Sequence, residues 1–421
     1  MDEPELAGRL SAHATEHGVP GAAVGILRDG QMTIAHHGLS DTGTGEPVGP
    51  ETRFAVGSLG KSMMATAIAR LAGAGRLSLD DPVSARVPEL RGVGWAERAT
   101  LRALIANRSQ VPLRVELEFT GWPDEDDAVL SRVATKVAAA EPMPPIWSYS
   151  NAGWCLLGRA METATGQTWS AAMRTHLLDP LGLTETVFTT GPGGEPRAKG
   201  HNGTTPVADW TPVNLAPAGS TLLSTVVDLL RVAAAQIDDP ALAMLRTTQE
   251  EVRLHSWLDA WCLGWSRFDW AGGPVWGWDG VMNGQRSFLR FHPDRRAAVA
   301  MLTNSASGRP LYRSLFPELL RAYAGVEMTP LPLDPSPGAA GDLTRFEGTY
   351  AWTDRRWDVS ATGTGLVLKG PHDAVEAVPI DDRTFLVDAR DPDNPTVAFG
   401  AFDDSGRPGA LYQMLWAFPR V

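Results

Sequence analysis

Cysteine is nearly absent: Cys155 and Cys262 are the only two in 421 residues, too few for a disulfide framework, and both read as reduced, buried thiols. Positive charge is in deficit. Thirty-seven Lys and Arg stand against 49 Asp and Glu, a formal net charge of −12. That is the wrong sign for a surface that neutralises phosphates, so nucleic acid is excluded as the expected partner. Long apolar runs are missing too: no stretch of about 18 apolar residues is available to cross a bilayer. The acidic start, Met1 to Leu10, lacks the basic and apolar regions of a secretory leader. The expectation is a cytoplasmic protein with no membrane partner. The nine histidines are scattered without H-E-x-x-H or comparable spacing, so no metal and no cofactor are expected.

What the chain does have is an ordinary globular make-up, 43% hydrophobic and 20% charged, which excludes disorder as its dominant state. Its length exceeds one typical domain, so a large and a smaller domain are expected. Tryptophan is in excess, at 15 residues, and Trp257, Trp261, Trp265, Trp270, Trp276 and Trp278 crowd into one stretch. Indoles bury large area while keeping one N–H donor, which suits a core or the wall of an apolar cleft. The crowding favours the cleft.

Gly21 to His37 alternates around Asp29-Gly30 and reads as a β-hairpin. From Ser58 the period turns helical, with Met63, Ala67 and Leu71 on one face and Gly73 and Gly75 as the stop. Further helices are expected over Asn151–Thr165, Ser170–Leu178 and Thr225–Ala235, and apolar alternation returns between Gly264 and Asn304 as hairpin-linked strands. Strands therefore open and close a large domain with a helical middle. This order predicts an α/β domain over residues 1–328, an antiparallel sheet with its edges from both chain ends and a helical insertion. Residues 329–341, TPLPLDPSPGAAG, form a Pro- and Gly-rich linker. Six short strand-like runs in residues 342–421 predict a compact antiparallel barrel or sandwich.

Three short segments carry chemistry. In Ser58-Leu59-Gly60-Lys61 a helix starting at Ser58 brings the Lys61 amine to the Ser58 hydroxyl, at the positive end of the helix dipole. Alone, this pattern equally fits an N-capping serine beside a surface lysine. In Tyr149-Ser150-Asn151 a phenol near an ammonium can serve as a general base, and the amide of Asn151 can orient lysine and substrate. By itself it also fits a capped helix start with a core aromatic. In Trp278-Asp279-Gly280 a glycine on an edge strand allows close backbone approach, and the Val281 amide can join the Ser58 amide as an oxyanion donor. The alternative is a plain β-turn.

The order and separation of these segments resemble the serine acyl-enzymes of the class C β-lactamase and penicillin-binding-protein superfamily. The resemblance spans residues 10 to 325, through TRFAVGSLGKSMMATAIARLAGAGRLSLDDPV, WSYSNAGWCLLGRAMETATGQTW, LLDPLGLTETVF, PAGSTLLSTVVDLL and FHPDRRAAVAMLTNS. It implies a β-lactamase-like sheet flanked by helices and joined to an all-helical lobe, with the site at their junction. It also implies Ser58 as nucleophile, Lys61 as its activating partner, Tyr149 as base and proton relay, and Asn151 as a substrate and lysine contact. The amides of Ser58 and Val281 become the oxyanion hole, and Trp278, Asp279 and Gly280 line the substrate.

Two departures bear on function. Where β-lactamases carry Lys-Thr-Gly and many relatives His-x-Gly, this chain has Trp278-Asp279-Gly280, and the cation that grips a β-lactam carboxylate is gone. Trp-x-Gly is similar to the family VIII carboxylesterases. Asn107-Arg108-Ser109-Gln110 stands where relatives read His-Thr-Ser-Gly, so Gln110 alters a turn near the cleft. The C-terminal region is similar to the lipocalin-like barrels appended to certain D-amino-acid-specific peptidases and penicillin-binding-protein-type thioesterases. The expectation is a serine hydrolase of ester or amide bonds acting on a small-molecule or peptide acyl substrate. The alternatives are a thioesterase, peptide cyclase or transacylase taking a carrier-bound thioester, and a non-catalytic binding protein on the same fold. Arg286 reads as a surface salt bridge, and Asp80-Asp81-Pro82 as a turn.

Overall fold

A computed structural model describes residues 1–111, 126–189, 197–208, 213–254, 257–352 and 355–421. The alternating N-terminal segment folds into strands Gly21–Arg28 and Gln31–Asp41, with Arg28 opposite Gln31. Asp29 at φ 49° and Gly30 at φ 83° close the turn, as a two-residue hairpin requires. His36 and His37 lie inside the second strand, opposite Ala23 and Ala22.

Gly21–Arg28 also pairs with Ala297–Thr303. The two ends of the large domain thus meet in the middle of a nine-stranded antiparallel sheet, and its edges are Glu46–Pro47 and Glu250–Leu254. This corrects the expectation that the chain ends supply both edges. The cause is burial: Gly21–Leu27 and Ala297–Thr303 are buried on both faces, whereas the edge strands carry Glu46, Glu250 and Glu251 and tolerate water.

Helices Glu3–Glu16 and Gly308–Ala324 cover one face, the outer one, packing Leu6, Leu10, Leu315 and Phe316 on Val24, Phe288 and Met301. A helical lobe covers the other face. Its central helix, Leu59–Gly73, is buried on almost every side from Leu59 to Leu71, so it has no solvent face for a helical period to mark. Helix Asn151–Thr165 begins where Ser150 Oγ accepts from Gly153 N at 3.0 Å and ends at Gly166, φ 72°. Residues 169–178 form a helix that widens into a π turn at Arg174.

After the sheet domain, the final residues form an eight-stranded antiparallel barrel from Gly348–Trp352 to Trp416–Pro419, each strand beside its sequence neighbour. A bridge between Tyr350 and Arg420 brings the first and last strands together. Two strands escape the count of six runs: Ala374–Pro379 is masked by Glu376, and ALYQMLWAF turns over at Met414, φ 57°, into two strands. Residues 329–341 contain no helix or strand. They are held to the barrel by Ser336 N donating to Pro379 O at 2.7 Å and by buried Ala340.

Candidate active site

Ser58 stands at the N-terminus of Leu59–Gly73, but its hydroxyl caps nothing. It accepts instead from Lys61 Nζ at 3.0 Å. Lys61 is fully buried and also donates to Ala218 O at 2.7 Å. That carbonyl, followed by Gly219 at φ 98°, fixes the amine from the far side of the helix turn. A side-chain carbon at Gly219 would lie 1.9 Å from Gly57 O, so only glycine lets this loop come close enough. No sequence pattern flags a backbone acceptor, and the role of Ala218 was missed for that reason.

Tyr149 lies two residues before the helix it precedes. Its ring is 5.0 Å from Lys61 Nζ and packs against Trp278 and Trp261 at 5.6 and 6.0 Å. Burial pushes the Tyr149 phenol well above its ordinary value, while the Ser58 hydroxyl and the Trp278 indole N–H, both turned toward it, pull the other way. Neither contact has closed: Tyr149 Oη is buried without a hydrogen-bond partner among the described residues. Ser58, Lys61 and Tyr149 are thus brought to one place. Asn151 is the first, half-buried residue of the following helix.

The backbone carrying Tyr149 is held from both sides. Asn107 and Gln110 take left-handed φ values of 56° and 60°. Asn107 O accepts from Ser148 N, its Oδ1 accepts from Ser150 N, and Gln110 exchanges two bonds with Met143. On the other side the barrel hairpin docks. Leu415 O accepts from Tyr149 N at 3.0 Å, Ser148 Oγ accepts from Ala417 N at 3.1 Å, and Tyr412 Oη donates to Trp147 O at 3.1 Å.

The third segment lies on strand Gly273–Met282, which is internal to the sheet. Its neighbour toward the sheet edge, Ser266–Trp270, stops opposite Gly277, so residues 278–282 have no strand partner on that side. The free edge faces the loop Val56–Ser58. A carbon on Gly280 would meet Val56 O at 1.8 Å and one on Gly57 would meet Val281 N at 2.7 Å. Ser287 Oγ, donating to Val56 O at 2.6 Å, ties the same loop to the next strand. Trp278 turns to the lobe and is buried beside Tyr149, and Val281 keeps an exposed side chain.

The chain matches the Beta-lactamase family over residues 6–324. It belongs to the β-lactamase family. It is 32% identical over 374 residues to Penicillin-binding protein 4 of Amycolatopsis lactamdurans, covering 83% of this chain and 98% of that protein. Among solved structures, SurE superposes with a TM-score of 0.82 at 28% identity over 100% of this chain and 99% of that one. The class C β-lactamase of Rhodobacter sphaeroides shares the fold, with a TM-score of 0.61 at 23% identity over 75% of this chain and 98% of that one.

Within this β-lactamase-family scaffold, Asp279 does not face Ser58. Strand alternation turns it to the outer face, where its carboxylate takes Arg290 at 2.7 Å and Arg309 at 3.3 Å. Arg286 is no surface salt bridge: it is buried and meets Asp393 of the barrel at 2.5 Å. The tryptophans divide between the two faces. Trp261, Trp265 and Trp278 join the core on the lobe face, whereas Trp257 and Trp270 line a cavity on the outer face. They are not one cleft wall. His13, Glu16 and His17 lie within reach of a common ion on the first helix, but His13 and His17 already bond Glu318 and Ser314. No described helix is long and apolar enough to cross a membrane.

Proposed function

We propose that this chain cleaves ester or amide bonds through an acyl-enzyme on Ser58. The convergence of one hydroxyl, one buried amine and one buried phenol carries the reading. Ser58 Oγ attacks the carbonyl and its proton passes to the Tyr149/Lys61 pair. A phenolate beside an ammonium and a phenol beside an amine differ only in where one proton sits, so the two groups act as a unit. The Ser58 and Val281 amides hold the oxyanion, the pair returns the proton to the leaving group, and water then releases the acid. Asn151 contacts the substrate, and Trp278 offers an apolar wall where the family's cation is lost, which favours uncharged ester or amide substrates over β-lactam carboxylates. Mass spectrometry after treatment with a fluorophosphonate tests this: one adduct is expected on the native protein and none on Ser58→Ala. An unlabelled native protein overturns it in favour of a binding protein.

A second reading keeps the acyl-enzyme and replaces water by an amine, on a peptide delivered as a thioester. It is favoured by the barrel hairpin against Tyr149, which adds a wall to the site. It is also favoured by likeness along the full chain to SurE, a protein solved with D-Leu. Product analysis with an activated peptide thioester separates the readings: free acid supports the hydrolase, cyclised or aminolysed peptide the transferase.

A further inference from the structure

We propose that the cavity on the outer face of the sheet, roofed by the linker and the barrel, binds a small organic carboxylate with an aromatic or acyl body. It encloses about 850 Å³, between Trp257, Phe268, Trp270 and Tyr312 on the sheet side and Thr329–Leu333 and Ile380 above. Asp279 and Trp278 point to opposite faces of their strand, so this cavity lies across the sheet from Ser58.

Charge makes the case. Four guanidiniums, of Arg286, Arg290, Arg309 and Arg313, cluster here around two carboxylates. Asp279 is taken by Arg290 and Arg309, and Asp393 by Arg286 and Arg309. Arg313 lines the cavity with no ion pair among the described residues, and its Nη2 is buried and unpartnered. Arg309, only 2% exposed, also keeps a buried Nη2 without a partner. Burial and the neighbouring Arg309 push the Arg313 guanidinium down to about 10. The carboxylates at the rim are engaged elsewhere: Asp269 holds Arg267, Asp259 accepts from Asp269 N, and Asp381 accepts from Arg383 N and Thr384 N.

Two donors left over in a low-dielectric pocket, one on Arg309 and one on Arg313, are the complement of one carboxylate, whose two oxygens accept an N–H from each guanidinium. The rings around them select an apolar body, since a small inorganic anion would leave most of the volume unfilled.

Calorimetric titration of the full chain with 4-phenylbutyrate, and with 4-phenylbutanol as its neutral counterpart, tests the site. The acid is expected to bind with one equivalent and the alcohol about tenfold more weakly, the scale of one charge-assisted hydrogen bond. Arg313→Gln is expected to weaken the acid by a similar factor, and Arg313→Lys to keep most of it. Leu331→Trp fills the cavity without touching the charges and is expected to abolish binding, which keeps the test decisive if Arg313→Gln does not fold. Fluorophosphonate labelling of Ser58 is expected to be unchanged in Leu331→Trp and to leave acid binding intact. No binding, equal binding of acid and alcohol, or binding lost only on labelling Ser58 overturns the proposal.

Discussion

At the scale of single residues, the proposed role of Tyr149 requires it to give up a proton in surroundings that resist charge. Burial raises its pKa, so the phenolate is the minor form at neutral pH and grows as the pH rises. The expected kcat/KM of the native protein therefore climbs from about pH 7 toward about pH 10. Tyr149→Phe is expected to lower kcat by a factor of about 100 to 10,000, the usual worth of a positioned acid–base group, with the alkaline rise gone. Steady-state rates on an activated ester across pH check both. A Tyr149→Phe protein with native kcat would remove the phenol from the reaction.

At the scale of elements, the site depends on two close approaches of backbone. The Gly273–Met282 strand touches the loop before Ser58 because Gly280 has no side chain: a methyl there would lie 1.8 Å from Val56 O and 2.5 Å from Ser287 Oγ. Gly280→Ala is expected to cost about 1–3 kcal/mol and to displace the Val281 amide, so denaturant midpoint and kcat should fall together. The barrel hairpin Pro408–Pro419 is the second approach, bonded to Trp147, Ser148 and Tyr149. Tyr412→Phe leaves the Trp147 carbonyl without its buried donor. It is expected to cost about 1–2 kcal/mol in urea unfolding and to slow Ser58 labelling, since the same hairpin holds the Tyr149 backbone.

At the scale of the whole molecule, the two domains share a charge. Asp393 of the barrel enters between Arg286 and Arg309 of the sheet domain, at 2.5 and 2.7 Å. Asp393→Ala removes the carboxylate and leaves the guanidiniums buried, with an expected loss of about 3 kcal/mol in chemical denaturation. Stability should also form a plateau in pH. Tyr149, Tyr312, Tyr350 and Tyr412 are raised by burial, Tyr350 to about 12. The stability from keeping these phenols neutral is complete below about pH 10 and is lost as the pH climbs through the folded-state values. His36, His37, His176 and His292 are lowered by burial. Their contribution is present above about pH 6.5 and lost as the pH falls. Urea midpoints measured across the range should decline on both sides.

What the amino-acid order determined by itself is local. Ser58 and Lys61 meet because residues three apart on a helix share a face, Asn151–Thr165 has the predicted bounds because Ser150 and Gly166 supply its caps, and Asp29-Gly30 closes its hairpin. Strand-like runs gave the antiparallel sheet and the barrel, and family likeness added the all-helical lobe. Tertiary structure alone decided the partners of backbone atoms: Ala218 O on Lys61 and Leu415 O on Tyr149 carry no residue signature, because every residue offers the same carbonyl. It also decided which face a strand residue serves. Alternation sets Asp279 opposite in direction to Trp278, but only the packed sheet puts Arg290 and Arg309 under one and Tyr149 beside the other.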